Sequence, residues 1–375
     1  MHARYTSSAS GENRVVDDQV RALREHGHEV DTLIHDNARP YRRSSALTAV
    51  DVATGRGRDI ESRVREVRPD VIHLHNPFPT FSTRWLQRPD GPATVATLHN
   101  FRAICAAGTL FRGGMSCTLC PETGSSTHSL RYACYRDSRV ATLPLAVASR
   151  DGGSHNNILR HSDALVALSD RAAAIWERRT DTRGRLHVIP NFTEAPPPQD
   201  GLSKAPRRHG WLYAGRLSPE KGVLSLVEQW PSHERLLVMG DGPERGAIAR
   251  ASAGKDIELT GHVPPSEVMT AMGYSEGLIF ASLWPEGLPT VMLEALSAGL
   301  PILTTPENSV ADVVEANGCG SVLDNWTALP DALSHARRNR NQLAEKARGA
   351  YANNYTRETW AIRMSELYAN LTGAS

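Results

Sequence analysis

The sequence predicts an α/β protein built from two doubly wound, parallel-sheet domains. Three observations predict it. Short apolar runs of strand length alternate with helical patterns through both halves of the chain. The alternation is interrupted at 194–208, EAPPPQDGLSKAPRR, where proline and charge make a linker. The 375 residues are also enough for two domains of ordinary size. The expected division is a first domain over 1–194, a second over 209–355 and a closing segment over 356–375. Hydrophobic residues at 40% and charged residues at 22% are those of a globular protein. A formal net charge of +1 gives no basic surface for nucleic acid. No apolar run approaches the roughly 18 residues of a membrane span. The first residues also lack the apolar core of a signal peptide. A cytoplasmic location is expected, with peripheral membrane contact left open.

Val15 to His26 has helical spacing, with Val15, Val16, Val20 and Leu23 on one side, and Gly27 ends it. His28 to Ile34 follows as a strand. A helix feeding a strand in such a sheet normally has a strand before it. None is visible in residues 1–13, so the first strand is expected to be missing, leaving a hole in the core. Asp70 to Asn76 and Thr94 to Asn100 are buried strands with the same His-Asn ending: His75-Asn76 and His99-Asn100. Ligands sit at the carboxyl ends of parallel strands, so these pairs point into a cleft. The alternative is that the histidines bond the backbone there.

The periodicity then breaks over 101–135, an insertion that carries Cys105, Cys117, Cys120 and Cys134. Cys117 and Cys120 form a C-x2-C pair, and four thiolates at this spacing can close a tetrahedral structural zinc site. Free buried thiols and disulfides are the other readings. Part of 138–158 is helical. Asp163 to Ser169 is a strand, with Ser169 or Asp170 as a helix cap. Leu186 to Phe192 is the last strand of this half.

The second half restarts with a strand at Gly210 to Ala214, leading into Gly215-Arg216-Leu217-Ser218-Pro219-Glu220-Lys221-Gly222. Arg and Lys across such a loop can converge on one diphosphate, Arg as a planar fork and Lys as a point charge. Two surface cations on a turn are the plainer reading. Leu236 to Met239 is a strand closed by the turn Gly240-Asp241-Gly242-Pro243. Ile257 to Val263 is another. Gly277 to Leu283 leads into Trp284-Pro285-Glu286-Gly287-Leu288-Pro289, and a helix follows from Val291 to Ala298, stopped by Gly299 and Pro301. Strand, Gly/Pro loop and helix N-terminus make an anion site. Glu286 and Glu294 stand eight apart beside it. A sugar nucleotide needs both: N–H donors for its diphosphate, carboxylate acceptors for its hydroxyls. An ordinary loop with a surface Glu is the alternative. Strands at Pro301–Thr305 and 320–323 and helical pattern over 327–371 complete the chain.

The R-x4-K, G-D-G-P, G-H-V and E-x7-E signals occur in the order seen in one family. The chain resembles the GT-B fold retaining glycosyltransferases of the family 4 type (glycosyl transferases group 1). The resemblance implies two Rossmann-like domains facing across a cleft, with the first taking the acceptor. It implies hexosyl transfer from a nucleoside-diphosphate sugar to a saccharide, lipid-linked or small-molecule acceptor, in polysaccharide or cell-envelope glycan synthesis. Arg216, Lys221 and the N–H groups near Gly287, Leu288, Pro289 and Thr290 would meet the leaving diphosphate, with no cofactor required. Glu286 would hold sugar hydroxyls and Glu294 the ribose. Gly215, Gly240, Gly242, His262 and Val263 would line the nucleotide, and His99 would reach the donor hexose. Ser10, Gly11, Glu12 and Asn13 look like the family's Gly-rich turn on the acceptor side, with His75, Asn76 and Asn100. The final helix, 356–369, would cross back to the first domain. A sugar-nucleotide 2-epimerase of the same fold and a non-catalytic nucleotide-sugar-binding protein are the competing functions.

Overall fold

The computed structural model describes residues 1–4, 11–36, 45–88, 90–179, 181–195 and 210–373. The linker expected at 194–208 falls mostly outside them, as does Ser10. The chain divides into two compact units. The first comprises Met1–Arg112, Cys117–Pro190 and Trp360–Ser375, and the second Gly113–Ser116 and Asn191–Thr359. Thr193 belongs to the second because its N–H donates to Tyr355 O, and its carbonyl accepts from the Tyr351 hydroxyl at 2.8 Å.

In the first unit the strands are β1 (His2–Arg4), β2 (Ile34–Asp36), β3 (Val71–Leu74), β4 (Ala93–Thr97), β5 (Ala164–Ala167) and β6 (Leu186–Val188). β1 pairs with β2, and β3 to β6 form a four-stranded ladder, all parallel. A parallel bridge from His2 to Asn76 and the bond from His75 N–H to Met1 O join the two. The order is β2-β1-β3-β4-β5-β6.

The first strand is therefore present, which corrects the expectation that it is missing. It has no apolar run because it is three residues long and reads His-Ala-Arg. Its stability comes from pairing on both edges, and Ala3 and His2 are buried at 0% and 1% exposure. Val15, Val16, Ala22 and Leu23 of the helix Gly11–Glu25 are buried, so no hole results. That helix starts earlier than expected: Gly11, Glu12 and Asn13 form its first turn and are not a loop. The strand expected from His28 starts only at Ile34, and Glu29, Asp31 and Thr32 before it are exposed. Ser169 is the cap of the following helix, accepting from Ala172 N–H at 3.2 Å.

In the second unit the strands are β7 (Trp211–Ala214), β8 (Leu236–Met239), β9 (Ile257–Gly261), β10 (Leu278–Phe280), β11 (Ile302–Thr304) and β12 (Gly320–Val322). They form one six-stranded parallel sheet of order β9-β8-β7-β10-β11-β12. Trp211, Trp230 and Trp326 anchor a continuous apolar core around it. The chain reverses winding between β7 and β10. In such sheets the crevice outside the strands' carboxyl ends at that switch point is where ligands bind.

Candidate functional site

The loops that leave β7 and β10 carry the second unit's candidate residues. After β7, Pro219–Lys221 makes a single 3-10 turn closed by Gly222 at φ +65°. A Cβ on Gly222 would stand 2.2 Å from Ala281 O, so only glycine lets this turn close on the end of β10. Leu283 N–H then donates to Glu220 O at 2.9 Å. The docking sets Lys221 Nζ 2.6 Å from Glu286 Oε1. The Ser282 hydroxyl donates to the same oxygen. Asn308 Nδ2 donates to Ser282 O at 2.9 Å and Thr305 O at 3.1 Å, which fixes the loop from behind. Lys221 Nζ also lies 5.8 Å from the Trp284 ring centre.

Glu286 is a buried carboxylate, 6% exposed, and Lys221 is the cation beside it. Arg216 does not join them. It is exposed, makes no ion pair among the described residues, and has its carbonyl held by the Tyr213 hydroxyl at 3.0 Å. Gly215, Gly240 and Gly242 stack backbone on backbone: Gly215 N–H donates to Met239 O and Gly240 N–H to Gly261 O. His262 beyond that turn is exposed and Val263 half-buried. The helix Thr290–Ala298 begins at Pro289 with no side-chain cap, and Gly299 at φ +69° ends it. Gly287, Leu288 and Pro289 are buried before it, Thr290 is half-buried, and Glu294 is buried within it.

In the first unit, β3 and β4 bring His75 and His99 together, Nδ1 to Nε2 at 3.1 Å. Two further histidines, not singled out in the sequence, complete a cluster. His73 stacks on His75 with ring centres 4.2 Å apart and bonds Thr97 Oγ1 and the Tyr368 hydroxyl, each at 2.7 Å. His2 bonds Asn13 Oδ1 at 2.9 Å and meets His75 edge-on. The available signal was the i, i+2 spacing of His73 and His75, which puts both on one face of a strand. Asn76 and Asn100 hold local backbone: Asn76 Nδ2 donates to Ala3 O, and Asn100 Oδ1 accepts from Arg102 N–H at 3.0 Å. Gly11 is exposed and Glu12 half-buried on their helix.

Burial pushes His73 and His99 down to about 3, helped by the N-terminal ammonium and then His99 beside His73, and by His2 beside His99. His75 is also lowered well below its ordinary value, again mainly by burial. At neutral pH these imidazoles are neutral, so they offer hydrogen bonds and no charge. The sign for stability follows. Between about 6.5 and the depressed values the unfolded chain binds more protons than the folded one, so stability falls as pH drops through that window. His73 and His99 should each cost about 1–2 kcal/mol by pH 5. Melting temperature measured from pH 7.5 to 4.5 should fall, and His75→Gln should flatten the slope. An unchanged slope in that variant would remove His75 from the linkage.

The four cysteines are half-buried free thiols, and Cys319 is buried. The thiols of Cys105, Cys117 and Cys134 all act on Cys120, so the structure brings the four near one another. Among the described residues no group of three or more His, Cys, Asp or Glu is placed to hold a metal ion. Burial and the neighbouring thiols push Cys120 up to about 11, and Cys134 is raised too, which leaves both protonated.

Comparison with known proteins bears on both units. Residues 9–195 match the family described as Glycosyltransferase Family 4, and residues 208–339 match Glycosyl transferases group 1. The chain is 25% identical to lipopolysaccharide 1,2-N-acetylglucosaminetransferase of Salmonella typhimurium, over 55% of this chain and 62% of that one. It thus spans less than two thirds of that relative's length. It is 27% identical to phosphatidyl-myo-inositol mannosyltransferase of Mycobacterium leprae, over 80% of this chain and 72% of that one. The fold is shared with a crystal structure of Alr3699/HepE from Anabaena in complex with UDP-glucose. There the TM-score is 0.61 with 16% identity, covering 98% of each chain.

Proposed function

We propose that this chain, which belongs to the GT-B glycosyltransferases of the group 1, family 4 type, moves a hexosyl unit from a nucleoside-diphosphate sugar to a glycan or lipid-linked acceptor with retention of configuration. The observation that carries the proposal is the Lys221–Glu286 pair at the switch point of the second unit's sheet. A carboxylate and an ammonium there match the two ends of a sugar nucleotide. The ammonium faces phosphate oxygens, and the carboxylate accepts from hexose hydroxyls. As the bond from the anomeric carbon to the diphosphate breaks, negative charge grows on the leaving oxygen. Lys221, Arg216 and the uncapped N–H groups at Thr290 and Val291 stabilise it. Donor binding lets Lys221 share its protons between Glu286 and a phosphate oxygen. The leaving phosphate takes the acceptor's proton. The relatives, a lipopolysaccharide N-acetylglucosaminetransferase and a phosphatidyl-myo-inositol mannosyltransferase, favour a cell-envelope glycan as product. The UDP-glucose complex of the shared fold favours a nucleotide sugar as donor.

Calorimetric titration of UDP, GDP and ADP tests the proposal and selects the base. One of them should bind wild type and bind Arg216→Ala about tenfold more weakly. Glu286→Gln should keep the nucleoside diphosphate and lose affinity for its sugar conjugate. Equal loss of both would take Glu286 off the hexose.

A further inference from the structure

We propose that the cavity at the carboxyl ends of β3 and β4 takes the acceptor by a phosphate ester. The proposal rests on the reading above, in which the first unit binds the acceptor. The cavity has a volume of about 630 Å³ and includes His75 and His99 in its lining. Its charged lining is one-sided: Arg56, Arg84, Arg102, Arg150 and Arg160 stand against a single acid, Asp51. A neutral sugar does not call for this, because its hydroxyls need acceptors as well as donors, and guanidinium only donates. Converging arginines repel one another until an anion sits among them.

Among the described residues, three of these arginines show weak or incomplete pairing. Arg150 Nε is 3.9 Å from Asp151. Arg84 Nε donates to Thr54 O at 3.2 Å. Arg102 lies over the Phe78 ring, 4.8 Å from its centre, and its Nη1 is buried with no hydrogen-bond partner. An unmade bond from a buried cationic donor is costly, and an anionic oxygen in the cavity would satisfy it. The number of arginines favours phosphate over carboxylate. A carboxylate carries one charge and about four lone-pair sites on its two oxygens, enough for about two forks, whereas a phosphate ester has three terminal oxygens and close to two charges and can engage more of them at once. His75 and His99 contribute no charge at neutral pH, which leaves the arginines to meet the anion. The phosphate is a handle, and the hydroxyl that receives the hexosyl unit lies on the group it esterifies.

The test is a crossed titration of wild type, Arg102→Gln, the exposed-site variant Arg84→Gln, and Lys221→Met. The probes are glucose 1-phosphate, geranyl phosphate in neutral detergent micelles, glucuronate and glucose, beside the nucleoside diphosphate that wild type prefers. At least one phosphate ester should bind wild type. It should lose tenfold or more in Arg102→Gln, lose severalfold in Arg84→Gln, and stay unchanged in Lys221→Met. The nucleotide should show the reverse pattern. Binding of glucose 1-phosphate identifies a soluble acceptor, and preference for geranyl phosphate identifies a lipid carrier. Phosphate esters that fail to bind, that bind both arginine variants like wild type, or that bind more weakly than glucuronate overturn the proposal. Loss of nucleotide binding alone would strike the donor reading and leave this one standing.

Discussion

Lys221→Met should slow release of nucleoside diphosphate from the preferred sugar nucleotide by about 10²- to 10³-fold, the cost of removing one preorganised donor from a developing anion. It should also lower stability, for a separate reason. Glu286 is 6% exposed, and without Lys221 its carboxylate keeps only the Ser282 hydroxyl among the described residues. A buried charge stripped of its partner costs about 3–5 kcal/mol. The two losses part in the double variant Lys221→Met/Glu286→Gln. A neutral amide no longer needs the cation, so most of the stability should return. The rate should not, because the diphosphate still lacks its positive charge. Rate and melting temperature measured on the same three proteins decide the matter. A rate that recovered with the stability would make Lys221 a structural partner of Glu286 with no part in the chemistry.

The strands that were legible in the sequence are those that carry apolar side chains in a short run. Leu236–Met239 is uniformly apolar, and the structure begins and ends β8 on those same residues. β1 was not legible because its burial does not come from apolar side chains. His2 is 1% exposed with its Nε2 bonded to Asn13, and the strand is held by ladder bonds to two neighbours. Local pattern carries no trace of such pairing. The same limit applies at the sites. Arg216, Lys221 and Glu286 could be picked out by motif, but that Lys221 turns to Glu286 while Arg216 stays exposed depends on Gly222 closing against Ala281, 59 residues away. The arginines of the acceptor cavity come from positions spread over a hundred residues and form no motif.

Gly240→Ala should be among the most destabilising single-methyl changes in the second unit. Gly240 has φ +146°, and a Cβ there would stand 1.8 Å from Gly215 O, a backbone atom that no rotamer change can move. Nor can the backbone yield easily. Gly215 N–H is bonded to Met239 O, Gly240 N–H to Gly261 O, and Leu217 N–H to Asp241 O, so three strand ends are tied at this point. The methyl must either break those bonds or push the β7 loop outward, and that loop carries Arg216 and Lys221. Strain and lost hydrogen bonds together should cost at least about 3 kcal/mol, a fall of roughly 6–12 °C in the melting temperature of a unit this size. Nucleoside-diphosphate affinity should fall with it. Gly254→Ala is the matched control. It also has positive φ, +76°, but nothing lies within 4 Å of its added Cβ. It should cost only about 1 kcal/mol of backbone strain and leave nucleotide binding intact. If the two variants melted together, backbone conformation would account for Gly240, and its close approach to Gly215 would not be what holds the donor loop in place.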